Sequence, residues 1–151
     1  MKIIITESQY KKLMEEEEQE VLNIPSLKYF DNDWDFLQEF LESEGNPPYS
    51  IGGNLNLVGL KVESLGNLVS VEHDLYAYDT PLKSLGSLTS VGGLMDLSNT
   101  QIESLGNLSF VGGSLVLNGI PLFGKDTSPR SLERQSDIIR RKVYVQGNIL
   151  Y

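Results

Sequence analysis

The sequence predicts an α/β repeat protein: a short β-solenoid of about five stacked parallel strands, closed by a helical cap at each end. Three observations predict it. The middle of the chain repeats every 20 residues without a gap. Apolar residues within each repeat recur at fixed columns, and two of those columns are spaced by two, as in a strand with one buried face. Both flanks carry helix signals, and a stack of repeats needs caps over its exposed ends. The expected divisions are a helical cap over 1–49, four repeats over 50–124, and a capping helix with a final repeat strand over 125–151.

The N-terminal cap comes first. Thr6-x-x-Gln9 has the form of a capping box and opens a helix expected to run to about Glu20. Trp34, Leu37 and Leu41 then fall at i, i+3 and i+7, one apolar stripe widened by Phe40. Gly45 and Pro47–Pro48 end that second helix. Its stripe is expected to cover the first repeat.

Four rows follow, starting at Ser50, Ser70, Ser90 and Phe110: SIGGNLNLVGLKVESLGNLV, SVEHDLYAYDTPLKSLGSLT, SVGGLMDLSNTQIESLGNLS and FVGGSLVLNGIPLFGKDTSP. Ser-Leu-Gly-x-Leu recurs at Ser64–Leu68, Ser84–Leu88 and Ser104–Leu108, and Gly-Gly at 52–53, 92–93 and 112–113. Leu55, Leu75, Met95 and Leu115 share one column, and Leu57, Ala77, Leu97 and Leu117 the column two residues on. Further columns begin at Ile51, Val62, Leu65 and Leu68. One row cannot bury these faces alone, whereas stacked rows bury them in a continuous core. Five strands at about 4.8 Å spacing make a stack roughly 20 Å long. The Gly-Gly pairs recur with the repeat and precede strands, so they are expected to form a tight bend before each strand rather than a phosphate cradle.

The C-terminal cap opens at Ser128-Pro129 and is expected to run to about Lys142, with Leu132, Ile138 and Ile139 facing the last rows. VQGNILY, residues 145–151, aligns with IGGNLNL of the first row as a fifth, partial copy.

These residues resemble leucine-rich repeats. Leu97, Thr100 and Ile102 sit where that family has its second strand leucine, its asparagine and its next leucine. LGNL at Leu65–Leu68 and Leu105–Leu108 is similar to the LPxLP turn of short 20-residue bacterial repeats, and VGG-x-L-x-L to receptor L-domain repeats. The family's asparagine column is Leu60, Thr80, Thr100 and Ile120 here, and its first leucine is Gly or Glu. The resemblance implies a sheet-faced solenoid that binds proteins. The opening MKIIITESQYKKL resembles the start of small proteins encoded by tailed bacteriophages. That second resemblance implies a host protein as partner and an anti-defence role.

Composition narrows the chemistry. Lys and Arg number 12 against 21 Asp and Glu, a formal net charge of -9. So acidic a chain lacks the clustered cations of a broad phosphate-binding face, and nucleic acid is not the expected partner. The charge is uneven: an acidic front that includes the run Glu15–Glu18, and a basic end with Arg130, Arg134, Arg140, Arg141 and Lys142. The run is expected to be a solvated helix face. There is no cysteine and one histidine, which excludes disulfides, thiolate chemistry and a His-rich metal site. No stretch has the apolar length of a signal peptide or membrane span, so a cytoplasmic protein is expected, in the host's cytoplasm if phage-encoded. No cofactor and no catalysis are expected.

Rows that match are explained by the shared fold, and a row that departs at outward positions asks for a reason. Row two departs most. Glu72–His73 replaces Gly-Gly, and its outward strand positions are Asp74, Tyr76 and Tyr78. Tyrosine joins a large apolar area to a hydroxyl and is over-represented at interface hot spots. Aromatics are also ordinary strand formers. The expected partner-binding face is Tyr76 and Tyr78 as anchors, with Asp74, Asp96 and Asn56 setting polarity and register and His73 at its margin. His73 with Glu72 and Asp74 could form a metal or acid–base cluster, but adjacent strand residues point to opposite faces, and an exposed or hydrogen-bonded histidine is the alternative. The rival functions are self-assembly, with the basic end meeting the acidic front of another copy, and capture of a small signal molecule at Tyr76 and Tyr78.

Overall fold

The spacing of the apolar columns dictates a stack of parallel strands, and the computed structural model of the protein has two such stacks. It describes residues 4, 6–17 and 20–151; the side chains of residues 13–17 lie outside that description. The strands are β1 (Leu22–Ile24), β2 (Tyr49–Ile51), β3 (Leu55–Asn56), β4 (Leu68–Val71), β5 (Leu75–Tyr76), β6 (Ser90–Val91), β7 (Met95–Asp96), β8 (Phe110–Val111), β9 (Leu115–Val116), β10 (Tyr144–Val145) and β11 (Ile149–Leu150). They form a six-stranded parallel sheet, β1-β2-β4-β6-β8-β10, and a five-stranded parallel sheet, β3-β5-β7-β9-β11, and neither closes into a barrel.

The expectation of one strand per row is corrected. Each row gives two short strands, and the Gly-Gly pair lies between them rather than before a single strand. The reason is that both sides of the bend carry a buried residue in register with its neighbours. Val71 pairs with Val91 and Val91 with Val111 on one side, and Leu75 with Met95 and Met95 with Leu115 on the other. The pairing offset is 20 residues through these rows and 34 at the last one, Phe110 to Tyr144 and Leu115 to Ile149, because helix α3 (Pro129–Lys142) is inserted there.

The apolar columns are buried as expected. Leu55, Leu75, Met95 and Leu115 are inaccessible to solvent, as are Leu57, Ala77, Leu97 and Leu117. Each fully buried leucine contributes about 1.5–3 kcal/mol relative to an exposed one. The recurring Ser-Leu-Gly-x-Leu is a turn with a defined mechanism. Ser64, Ser84 and Ser104 accept hydrogen bonds from the amides of Gly66, Gly86 and Gly106 at 3.0–3.1 Å. Those glycines have φ of 57°, 56° and 55°, the left-handed region where a side chain is strained. The threonines in the asparagine column also have a task. Thr80 and Thr100 are buried, and their hydroxyls donate to the carbonyls of Ala77 and Leu97 at 2.7 and 2.8 Å.

The flanks form helices where the signals lie. Thr6 and Gln9 exchange the two bonds of a capping box, at 2.9 and 3.2 Å, opening α1 (Glu7–Glu17). The helix stops short of the expected end near Glu20, which is exposed and not helical; Glu18 and the side chains of Glu15–Glu17, where a solvated face is expected, lie outside the described residues. Helix α2 (Trp34–Ser43) buries Trp34, Leu37 and Leu41, and Asp33 caps it by accepting from the amides of Asp35 and Phe36. Strand β1 was not anticipated. It pairs Leu22, Asn23 and Ile24 with Tyr49, Ser50 and Ile51, a half-row ahead of the first full one. In α3, Ser128 is the cap, Ile139 is buried and Leu132 half-buried. Ile138, expected to face the rows, is 43% exposed, since a helix turns adjacent residues about 100° apart and only one of the pair can face inward. Arg140 reaches the opposite way and donates to the carbonyls of Val145 and Gly147, both at 3.3 Å, tying α3 to the last row.

Candidate functional site

The outer face of the five-stranded sheet collects most of the residues singled out above. Asn56, Tyr76, Asp96, Val116 and Leu150 stand in one register column across β3, β5, β7, β9 and β11. Alternation along row two puts Leu75 and Ala77 in the core and leaves Tyr76 and Tyr78 half-buried on the outside. The two tyrosines are therefore brought to one face, two residues apart.

The polar residues around them are engaged in the fold. Asp74 Oδ1 accepts the amide of Leu94 in the next row at 2.8 Å, and its Oδ2 accepts the Tyr76 hydroxyl at 2.9 Å. The same row-to-row bond is made by Asn54, which accepts the amide of Asp74 at 2.9 Å, and by Ser114, which accepts that of Asn148 at 3.1 Å. Gly93 leaves room for it, because a Cβ there would collide with Asp74 Oδ1. Asn56 accepts the amide of Val58 at 3.0 Å; Asp96 accepts the amide and hydroxyl of Ser98 at 3.0 and 2.6 Å. These two side chains close the turn after their strands.

The bond to Asp74 holds the Tyr76 phenol above its ordinary pKa, since it uses the phenolic proton. Slight desolvation and the negative charge of Asp74, Tyr78 and Asp96 act in the same direction. Tyr76 is thus a neutral, oriented donor with its ring presented outward.

His73 is exposed on the bend, in the column of Gly53, Gly93 and Gly113, with its amide to the Gly53 carbonyl at 3.4 Å. Among the described residues no group of three or more His, Cys, Asp and Glu is placed to hold a metal ion. His73 does not converge with Asp74 and Tyr76, which leave the bend toward the sheet face.

One feature was missed from the sequence. On the six-stranded sheet, Phe110 and Tyr144 pair in register and stack with ring centroids 5.9 Å apart and planes 15° from parallel. They are 36% and 65% exposed. The signal was present, as Phe110 stands in a column otherwise held by Ser50, Ser70 and Ser90. Its aromatic partner lies 34 residues away, beyond the reach of the 20-residue period.

Comparison of the chain with protein-family models, curated proteins and solved structures gives no significant match.

Proposed function

We propose that the chain is a leucine-rich-repeat-like solenoid that works as a non-catalytic protein-binding module, docking its partner on the outer face of the five-stranded sheet. The observation that carries this reading is the pair Tyr76 and Tyr78, half-buried side by side on that face, with the Tyr76 hydroxyl fixed by Asp74 at 2.9 Å. A face whose polar side chains are already committed to its own backbone loses little order on docking, so its aromatic area converts efficiently into affinity. Asp74, Asp96 and Asn56 then act mainly by holding the strands and turns that present the tyrosines. The resemblance of the opening residues to phage proteins makes a bacterial host protein the proposed partner.

The test is affinity capture from bacterial lysate with the wild-type chain beside Tyr76→Ala/Tyr78→Ala. Both side chains point away from the core, so the double variant is expected to keep its circular dichroism and melting temperature. A partner held by the wild type and lost by the double variant is the expected result. A partner held equally by both overturns the assignment of this face. The exposed Phe110–Tyr144 stack favours a second location, and Phe110→Ser, which restores the residue of its column, reports on it in the same assay.

A further inference from the structure

We propose that both ends of the six-stranded sheet are closed against a second copy of this chain at one and the same hydrogen bond: Arg140 occupies its acceptor and Pro25 removes its donor. The rows of this sheet are joined by a regular ladder. The residue after each buried valine or isoleucine donates its amide back to the row before, in five bonds that run from Gly52 to the Ile24 carbonyl at 2.8 Å through Gln146 to the Val111 carbonyl at 2.9 Å. One residue further on, His73, Gly93 and Gly147 donate to the carbonyls of Gly53, His73 and Gly113 at 3.4, 3.0 and 2.9 Å. A ladder of this kind ends in unpaired groups, and those are a template for another chain.

Strand β10 is the last of the sheet and β1 the first. Val145 and Gly147 stand in the columns of Val111 and Gly113, so theirs are the carbonyls that a following strand would engage. Arg140 engages them instead, Nη1 donating to Val145 and Nη2 to Gly147, both at 3.3 Å. Its planar fork supplies two N–H groups, as two amides of a further strand would. At the other end Ile24 is in register with Ile51, which puts Pro25 in the column of Gly52 and Gln146. That column supplies the backward donor in all the later rows, and proline has none. Both Arg140 and Pro25 are exposed, so core packing does not require either. Charge gives the stops a task. The front of the chain is acidic and the last turn of α3 carries Arg140, Arg141 and Lys142, so unlike ends of two copies attract. Contact of β10 in one copy with β1 in the next is heterologous, and contacts of that kind build open chains of copies.

The test reopens both groups. Pro25→Ala restores the amide, and Arg140→Met frees the two carbonyls while keeping an apolar stem along α3. Sedimentation equilibrium over a concentration series reads the result, with circular dichroism to show that the fold is kept. The wild type is expected to be a monomer. The double variant is expected to form oligomers that grow with concentration, associating at least about tenfold more tightly than either single variant, because the bond between copies needs donor and acceptor together. Asn23 holds the column of Phe110 and Tyr144, whose amides also donate backward, to Thr89 and Ser109 at 3.2 and 2.9 Å. Asn23→Pro added to the double variant should therefore return it to monomer, whereas aggregation through a loosened α3 would persist. Should Arg140→Met unfold α3, Arg140→Gln takes its place, with one short amide instead of the fork. A folded double variant that stays monomeric overturns the proposal, as does association that Asn23→Pro leaves unchanged. A wild type that itself oligomerises and is dispersed by Asn23→Pro overturns it as well.

Discussion

Asp74 separates a structural role from a binding one, and its two substitutions make opposite predictions. Its Oδ1 accepts the Leu94 amide at 2.8 Å and joins rows two and three across the bend. A hydrogen bond to a charged acceptor nets about 1.5–3 kcal/mol when well buried, and less where water competes. Asp74 is half-buried, so Asp74→Ala is expected to cost about 1–2 kcal/mol. For a chain of this length that lowers the melting temperature by about 2–8 °C. Asp74→Asn should stay within about 0.5 kcal/mol of wild type. The grounds are internal: in the row before, an asparagine already makes this bond, Asn54 accepting the Asp74 amide at 2.9 Å. Urea unfolding followed by circular dichroism, with calorimetry on all three proteins, reads the difference. Asparagine as damaging as alanine would mean that the carboxylate charge, not the row-to-row bond, is what matters. Alanine without effect would mean that the bend holds itself, and the account of Asn54, Asp74 and Ser114 as fasteners would fail.

Two more predictions follow from the turns and the N-terminal cap. Gly86 and Gly106 have nearly the same φ, but a Cβ on Gly86 would run into the backbone of Gly66, whereas one on Gly106 meets nothing within 4 Å. Gly106→Ala should cost about 1–2 kcal/mol for the left-handed backbone alone, and Gly86→Ala at least about 1–3 kcal/mol more; equal losses in urea titrations would discard the packing account. Burial pushes the Tyr49 phenol up to about 12 from 10.0, against the lowering effect of its bond to Gln38. The folded state then holds that proton more tightly than the unfolded chain, so the stability involved is intact below pH 10 and is lost as pH rises toward 12. The full loss is about 2–3 kcal/mol, from 1.36 kcal/mol per pKa unit. Tyr49→Phe should flatten the alkaline fall in urea midpoint, and an unchanged slope would assign that fall to other groups.

Much of the fold was legible because burial repeats. A residue such as Leu75 is surrounded by its own counterparts, Leu55 and Met95, so one chain carries its own alignment, and every apolar column announces a shared environment. The helices were legible for a different reason: capping box, stripe and Ser-Pro start are all local in sequence. The double strand in each row was not, because a two-residue strand such as Ser90–Val91 is too short to show alternation by itself. Strand β1 escaped for the same reason, as Leu22–Ile24 carries only one alternation. The tyrosine face was legible as a departure of one row from its siblings. That Asp74, Asp96 and Asn56 serve the backbone first was not: Asp74 depends on the amide that the next row brings within 3 Å, and Asp96 and Asn56 on the turn that folds the amide two residues on back to their side chains.

The sequence by itself determined the period, the buried columns, the placement of the caps and the outward pairing of Tyr76 with Tyr78. All of these are consequences of local pattern multiplied by repetition. Tertiary structure decided the rest: the corner that makes two sheets of each row, and the stacking of Phe110 on Tyr144 across the inserted helix. Each of these depends on residues 20 to 34 positions apart meeting at a particular distance, and that meeting is fixed by the packing of rows rather than by the composition of any one of them.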